Sequence, residues 1–296
     1  MDHHQQLAPT TLLYHDNMFN LQSTATLLSS FHGDDGRHVF ILDSTIFHPQ
    51  GGGQPSDTGF ITDVSSSQFK FLVQDVRSRN GVVYHYGVFE KSVEDLVTGV
   101  QVLLSVDESK RKLHSRLHRH SLGRAEWHDP RGRFPGPDEG SLLLVFLSQP
   151  CLVVSLHSAG HLLDVCLPKV GLSHLKPGKA YHFPDGPWVE YEGKVPQAEL
   201  QSKMQELELE ANNLISRGMT VSVAVYPYEE ASMLCGGDLP DYIPKGSTPR
   251  IVKLGDFPGC PCGGTHVSNI SDLVNVKVTQ MRTKKGVTKV YYTIES

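Results

Sequence analysis

The sequence has few cysteines, no long uninterrupted apolar run and no excess of positive charge. Its five cysteines, an odd number spread over 296 residues, argue against a disulfide framework and leave metal or thiol chemistry as their better use. The longest apolar stretch, residues 142–156, is interrupted by Ser148, Gln149 and Pro150 and is too short for a spanning helix. The first residues lack the pattern of a secretory signal, so we expect a cytoplasmic protein with no membrane partner.

The charge balance limits the kinds of partner that the sequence favours. Lys and Arg number 27 against 32 Asp and Glu, which gives a net charge of -5 and no global basic field for nonspecific nucleic-acid binding. No DNA partner is expected, and any RNA contact must be local. Two basic clusters could contact phosphates, although such runs usually form solvated faces: Lys110, Arg111, Lys112 and Arg116, and then Lys277, Arg282, Lys284, Lys285 and Lys289.

The first part of the chain consists of short β-rich runs separated by turn signals. Asp34-Asp35-Gly36 and Asn80-Gly81 are typical of turns between strands. We expect residues 1–108 to form a small β-barrel-like domain, with a sandwich as the alternative. The strand-like runs are Arg37–Asp43, Thr58–Val64, Phe69–Arg77, Val82–Val88 and Val100–Val106.

Residues 109–296 mix helical and strand periods, so the expected fold class is α+β. Apolar residues recur on one helical face from Leu200 to Ile215, and Gly218 follows at a C-cap position, which predicts an amphipathic helix. Four strand-like runs come after it, and the last two are predicted to form a hairpin across residues 284–286. These runs are Thr220–Tyr226, Arg250–Leu254, Val274–Gln280 and Val287–Ile294.

Residues 119–155 interrupt the pattern between the two parts. Gly, Pro, Arg and His crowd the first half of this segment, and an aliphatic run without a clear period follows. Leu-His occurs on both sides, and removal of residues 118–156 would join Leu117 to His157 in one helical pattern. Because structureless inserts of this length are uncommon inside domains, we expect an insertion that a retained intron or alternative transcript explains.

His157 and His161 are the first candidate metal ligands. Four residues apart on a helix, both imidazoles project from one face and can bind one metal ion. The spacing alone is a weak signal, since His114 and His118 repeat it. A zinc protease is excluded, because Ser158 stands where such a helix needs a glutamate as general base.

Cys262-Gly-Gly-Thr-His266 supplies a second pair of donors. Its two glycines allow the backbone to turn tightly enough to aim the thiolate and the imidazole at one point. The two pairs together suit tetrahedral zinc, whereas the plain alternative is a buried cysteine beside a surface histidine. Cys260 is a rival ligand, two residues away across Pro261.

A glycine-rich loop, Phe47-His-Pro-Gln-Gly-Gly-Gly-Gln-Pro55, is the third candidate feature. Its three glycines permit close approach of the backbone to a ligand, and Gln54 offers an amide donor and acceptor. By itself the loop is a turn, and structural glycine loops are the commoner kind in β-rich domains.

In this order the three motifs resemble the alanyl-tRNA editing family, the free-standing relatives of the editing domain of alanyl-tRNA synthetase. The resemblance covers nearly the whole chain apart from residues 119–155 and includes Arg250-Ile-Val-Lys-Leu-Gly ahead of the cysteine motif. It implies that residues 109–296 form a zinc-dependent editing domain of the second-additional-domain type found in threonyl- and alanyl-tRNA synthetases. The zinc ligands that it implies, for one ion per chain, are His157, His161, Cys262 and His266.

The family hydrolyses serine, and often glycine, from mischarged tRNA(Ala) in trans. The resemblance therefore implies an aminoacyl-tRNA deacylase with zinc as cofactor and tRNA(Ala) as partner. A site that hydrogen-bonds the serine hydroxyl would reject alanine, and a complete four-residue shell would favour substrate orientation or ligand exchange over direct water activation. The candidate catalytic residues are Gln54, Ser158 and Thr265, and the candidate substrate-binding residues are Gly51, Gly52, Gly53 and Arg250.

Three other interpretations stay open. The zinc site could be a structural clip in a noncatalytic tRNA-binding module. The segment 119–155 could leave this chain a catalytically impaired splice isoform. Editing of a different aminoacyl-tRNA is the remaining enzymatic alternative, since the editing domain of threonyl-tRNA synthetase shares a related zinc-site pattern.

Overall fold

A computed structural model of the chain describes residues 8–64, 69–90, 96–111, 152–237 and 239–295. The first half contains eight described strands and one short helix. They are β1 (Thr11–Leu12), β2 (Gln22–His32), β3 (His38–Leu42), β4 (Ser44–Thr45), β5 (Gly59–Asp63), β6 (Lys70–Arg79), β7 (Val82–Phe89), β8 (Gln101–Val106) and α1 (Glu108–Arg111).

The second half alternates helices and strands. In chain order they are α2 (Leu152–Cys166), β9 (Lys176–Tyr181), β10 (Trp188–Glu192), α3 (Leu200–Arg217), β11 (Val221–Val225), α4 (Tyr228–Leu234), β12 (Arg250–Leu254), β13 (Cys260–Pro261), β14 (Asn275–Lys284) and β15 (Val287–Glu295). Within the described ranges, every helix is too short or too polar to cross a membrane.

Six strands of the first half form a closed barrel in the order β2-β3-β7-β6-β5-β8, so the predicted barrel is confirmed. Alternate residues of β8 point inward and are buried, which is the period-two pattern that the sequence shows. The turn Asn80-Gly81 joins β6 to β7 with φ values of 52° and 79°, as a two-residue hairpin turn of this composition requires. Phe40 and Phe71 stack inside the barrel with ring centroids 4.1 Å apart.

Helix α2 lies at the centre of the second half. Its residues from Val154 to Gly160 are buried, and it packs with α3 and with the four-stranded sheet β14-β15-β10-β9 around one apolar core. A separate three-stranded sheet, β11-β12-β13, carries the chain from β12 back through Cys260 and then into the cysteine motif. The core thus presents one face of α2 to the loop that follows β13.

The predicted amphipathic helix and terminal hairpin are both present. Helix α3 runs from Leu200 to Arg217, buries most of the predicted apolar face and ends at Gly218 with φ 67°. The hairpin β14–β15 turns at Lys285-Gly286, and β14 extends four residues beyond the predicted end at Gln280. The cross-strand partners of residues 281–284 explain the extension, since β15 continues the ladder to that point.

The predicted insertion overlaps the start of α2. The helix begins at Leu152, four residues before the expected resumption at Leu156, and both Val154 and Ser155 are buried. The remainder of the predicted insertion lies outside the described residues. Since residues 112–151 are not described, the expected insertion stays a prediction.

Candidate metal centre

The four donor residues expected from the two motifs meet at one point. His157 and His161 lie one turn apart on α2, and Cys262 and His266 lie on the loop after β13. One donor atom from each lies within 4.8 Å of the others. Bonds of about 2.0–2.3 Å from zinc to nitrogen and sulfur would fit one ion among these atoms after a small contraction.

The unpartnered atoms of these residues fit a metal ion. Both ring nitrogens of His266 and Nε2 of His161 are buried without a hydrogen-bond partner in the structure. Buried polar atoms are nearly always satisfied, so such a group of unpartnered donors calls for an unseen partner. Two or more imidazoles with one thiolate form a donor set that zinc prefers. The residues present therefore fit zinc.

Cys260 lies on the other side of His161 from the centre. Its Sγ is 3.2 Å from Nδ1 of His161, whereas Nε2 is the unpartnered nitrogen of that ring. Asp164 Oδ2 lies 3.6 Å from the same Nδ1. Cys260 and Asp164 therefore lie beside Nδ1 of His161, and a metal-bound histidine usually has such a hydrogen-bond partner at the nitrogen that does not bind the metal.

The electrostatics of the four donors favour ligation with one exception. Burial lowers the pKa of His157 and His266 well below the usual value, which keeps the rings neutral as metal binding requires. Burial raises the pKa of Cys262, but the hydrogen bond from His161 and the charge of His161 outweigh it, and the net shift is downward. Burial lowers the pKa of His161, but the nearby Cys260 and Asp164 raise it by more, so the net shift is upward. A metal ion that binds His161 would therefore have to displace a proton from its ring.

Gln54 connects the barrel loop to both ligand-bearing elements. Its Oε1 accepts hydrogen bonds from the Thr265 backbone N–H at 3.0 Å and from Nδ1 of His157 at 2.9 Å. Its Nε2 donates to Oγ1 of Thr265 at 2.8 Å. A proton on Nδ1 leaves Nε2 of His157 as the donor atom toward Cys262 and the centre. Gln54 thus orients a ligand and holds the Thr265 segment.

The glycines of both loops permit close approach. A side chain at Gly264 would collide with the His157 ring and with Gln54, and one at Gly53 would collide with the backbone of Ala180. Gly53 has a φ of 79°, which favours glycine independently of space. Gly51 pairs with Gln54 as an isolated bridge, so Gly52 and Gly53 form the tip between them.

The other predicted site residues have structural contacts. Ser158 Oγ donates to Val154 O at 2.8 Å and accepts from the Val267 backbone N–H at 3.0 Å, so its proton is already used within the core. Arg250 Nη1 donates to the carbonyls of Cys262 and Gly264 at 2.7 and 2.8 Å, which holds the metal-binding loop. Thr265 accepts from Gln54 and keeps its own hydroxyl proton available. Their roles toward substrate remain predictions.

His182 is a buried residue of this region that the sequence analysis missed. Its ring stacks on His157 with centroids 4.5 Å apart, and its backbone N–H donates to Gly53 O at 2.8 Å. Burial lowers the pKa of His182 to about 3, so the ring is neutral. It follows β9 in a segment, Tyr181-His-Phe-Pro-Asp-Gly, whose local pattern reads as a strand end and turn.

One predicted phosphate contact is wrong. Arg111 is buried, pairs with Asp57 and donates to the carbonyls of Met18, Asn20 and Ile46, so its guanidinium is not available to a nucleic acid. The local sequence showed a basic run, whereas these partners come from distant parts of the barrel.

The basic residues of the last hairpin are more exposed than Arg111. Lys289 Nζ lies over the Trp188 ring, 3.4 Å from its centroid, and 3.1 Å from Oε2 of Glu190. Lys284 and Lys285 are exposed at the hairpin tip. Their contact with phosphate remains a prediction.

Comparisons with known protein families match both halves of the chain. The family of class II (A) tRNA synthetases matches residues 3–110, and the threonyl and alanyl tRNA synthetase second additional domain matches residues 250–291. The first match covers the barrel and Gln54, and the second covers Arg250, Cys262 and His266. His157 and His161 of the centre lie outside both matched ranges.

Curated relatives agree with these matches. The chain is 26% identical over 97% of its length to an alanine–tRNA ligase of Halobacterium salinarum, and 24% identical over 97% of its length to one of Sulfurisphaera tokodaii. A ligase of Haloquadratum walsbyi is 25% identical over the same share. In each case the chain spans only 26% of the relative's length, or about a quarter of it.

Proposed function

The chain belongs to the alanyl-tRNA editing family, and from that premise we propose that it is a trans-acting hydrolase that releases serine from mischarged tRNA(Ala). Glycine esterified to the same tRNA is the second proposed substrate. The observation that carries this proposal is the buried four-donor cluster of His157, His161, Cys262 and His266, to which Gln54 of the barrel is joined. The chain spans only 26% of the length of the ligase relatives, so only the editing step is proposed for it.

The proposed reaction is hydrolysis of the ester that links the amino acid to the terminal ribose. Water adds to the carbonyl carbon, the carbon–oxygen bond to the ribose breaks, and the proton from water ends on the ribose hydroxyl. Such a reaction needs a positioned water, a donor for the carbonyl oxygen and a dry pocket. Zinc, when bound, would supply positive charge and hold α2 and the loop after β13 in a fixed arrangement.

The chain's own residues would orient the substrate. Gln54 fixes the loop at Thr265, and the Thr265 hydroxyl has a proton that it can donate to a substrate oxygen. Arg250 donates hydrogen bonds to the carbonyls of Cys262 and Gly264, which fix the backbone of this loop beside the metal centre. These contacts preorganise the site before substrate binds, which is the usual source of electrostatic catalysis.

A deacylation assay tests the proposal. Zinc-loaded protein is mixed with tRNA(Ala) charged with serine, glycine or alanine, and the surviving ester is measured over time. We expect the serine ester to disappear fastest and the alanine ester to survive at the uncatalysed rate. Equal rates on the serine and alanine esters would reject the specificity, and survival of all three would reject the activity.

A noncatalytic tRNA-binding module is the second candidate function, because four protein donors complete a tetrahedral shell as structural zinc sites do. In this case the metal would hold α2 to the loop after β13 and take no part in a reaction. Saturable binding of tRNA(Ala) without loss of any ester would favour this candidate.

A further inference from the structure

The His182 ring lies in a narrow space beside the metal centre. Gly53 and Gly160 flank it, and a Cβ added at Gly160 would lie 2.5 Å from its Cε1. A Cβ added at Gly53 would lie 3.3 Å from its Cδ2. Because Nε2 lies between these two carbons, this nitrogen is on the side of the ring that faces the glycine loop and α2. A side chain at position 160 would collide with the ring, so the ring can occupy this position because residue 160 is glycine.

Hydrogen bonds determine which nitrogen of His182 carries the proton. The Tyr292 hydroxyl donates its single proton to Leu156 O at 2.8 Å. The same hydroxyl lies 2.6 Å from Nδ1 of His182, and having used its proton it can only accept there. Nδ1 therefore carries a proton, and in the tautomer with this single proton Nε2 has a lone pair and is an acceptor.

Nε2 is not among the fully enclosed polar atoms that lack a partner, so solvent reaches this acceptor. Within the described part of the chain, the hydrogen bond to Tyr292 is the one recorded for this ring's nitrogens. The residue is 2% exposed and its ring stacks on a metal ligand, so a molecule that displaces solvent from Nε2 must donate to this nitrogen or leave it unpaired. A small group with one hydroxyl donor fits this requirement, whereas a methyl group does not.

On the basis of the function proposed above, we propose that Nε2 of His182 accepts a hydrogen bond from the side-chain hydroxyl of serine and is the residue that distinguishes serine from alanine. Alanine would place a methyl group against an unpaired acceptor, and sites built to hydrogen-bond a substrate hydroxyl reject such analogues strongly. Glycine leaves space in which a water molecule can donate to Nε2. Tyr292 is a positioning residue, because it acts through the tautomer of His182.

Two substitutions separate the acceptor from the structural contact. In His182→Asn the amide N–H takes the position of Nδ1 and can still donate to Tyr292, but no atom replaces Nε2. In His182→Gln the amide oxygen reaches the position of Nε2 and restores an acceptor. We expect the Asn variant to lose roughly 100-fold of the preference for the serine ester over the alanine ester. We expect the Gln variant to recover part of it.

Binding of hydrolysis-resistant analogues provides a readout besides turnover. The probes are adenosines carrying serine, alanine or β-fluoroalanine through a 3′-amide, titrated calorimetrically into zinc-loaded protein of measured metal content. Fluorine resembles the hydroxyl in size but cannot donate, so we expect the β-fluoroalanyl probe to bind as weakly as the alanyl probe to the unmodified chain. This comparison uses only the unmodified chain, so it tests the proposal even if a variant fails to fold.

The outcomes distinguish the inference from the proposed function. If the unmodified chain hydrolyses the serine ester, but the Asn variant keeps the full serine preference or the β-fluoroalanyl probe binds like the seryl probe, the role of His182 is wrong and the activity stands. If the unmodified chain hydrolyses none of the esters, the proposed function fails and the inference fails with it.

Discussion

The barrel and the metal centre differ in how far apart in sequence their interacting residues lie. In the barrel, β6 and β7 pair across the two-residue turn Asn80-Gly81, so contacts form between near neighbours in the chain. In the centre, Gln54 bonds His157 across 103 positions and Thr265 across 211. Short-range patterns therefore specify the hairpin, whereas closure of the barrel by β2 and β8 and assembly of the centre both depend on long-range contacts.

The largest expected effect comes from removing metal ligands. Cys262→Ala with His266→Ala should abolish zinc binding and deacylation, because two of the four donors are lost and the two remaining histidines cannot complete a zinc site. Metal analysis of the purified protein should fall from about one equivalent to background.

Cys260→Ala is the matched control for that double variant, since it removes a thiol two residues away. We expect it to retain one zinc per chain, because Cys260 contacts the outer nitrogen of His161. Loss of zinc from this variant, or full zinc in the double variant, would overturn the ligand assignment.

The second prediction asks whether the barrel is stabilised independently of the centre. Arg111→Met removes a buried guanidinium and leaves the Asp57 carboxylate unpaired in the barrel. Loss of one partner of a buried ion pair costs about 3–5 kcal/mol, so chemical denaturation should show a large loss of stability. Zinc stoichiometry below the unfolding transition should stay unchanged.

Lys70→Met provides the comparison for Arg111→Met. The Lys70–Glu90 pair lies at 2.6 Å on the same barrel, but both side chains are exposed, so the cost should be within about 1 kcal/mol. Similar costs for the two variants would show that burial does not distinguish these pairs.

The sequence predicts the elements whose signals are local. The 3.6-residue period of α3 ends at Gly218, and the composition of the Asn80-Gly81 turn identifies its hairpin, since both depend on residues within one or two turns of each other. The meeting of two i,i+4 pairs is also predictable, because each pair already points its donors one way.

The remaining features depend on partners that are distant in sequence. Arg111 belongs to a basic run in the sequence, but in the structure it is buried and bonds Asp57 and the Ile46 carbonyl. The sequence does not reveal this role, because both partners lie far away in the chain. His182 belongs to no recognisable motif. The role proposed for it depends on its contacts with Tyr292 and Gly160, which are distant in the sequence. Ser158 follows a ligand directly, yet its hydroxyl points into the core toward Val154 and Val267.

The third prediction tests the link between barrel and centre. Gln54→Ala removes the contacts to His157 and Thr265, and loss of such an outer partner typically lowers metal affinity or activity by 10- to 100-fold. We expect turnover to fall by about that factor while zinc remains at one equivalent when metal is saturating.

Gln50→Ala changes an exposed side chain of the same loop and should leave turnover unchanged. If both variants behave alike, the loop contributes through its backbone and the amide of Gln54 has no special role.

The smallest expected effect concerns the segment between the halves. A variant lacking residues 118–156 places Leu113 to Leu117 at the start of α2, in a pattern that continues from α1, and α1 contacts α2 in the structure. One longer helix should gain stability because it needs no separate nucleation. Part of this gain is lost, since Ser115 and Arg116 replace the buried Val154 and Ser155.

The net gain should be on the order of 1 kcal/mol, which raises the melting temperature by about 2–4 °C for a chain of this size. Loop shortening adds little, because closure entropy changes slowly with length. The double variant Val154→Ser, Ser155→Arg in the full chain measures the opposing cost alone and should melt below the unmodified protein. Deacylation rates of all three proteins complete the comparison. If the deletion melts lower than the full chain or loses activity, residues 119–155 contribute to the fold and the helix is not repaired by their removal.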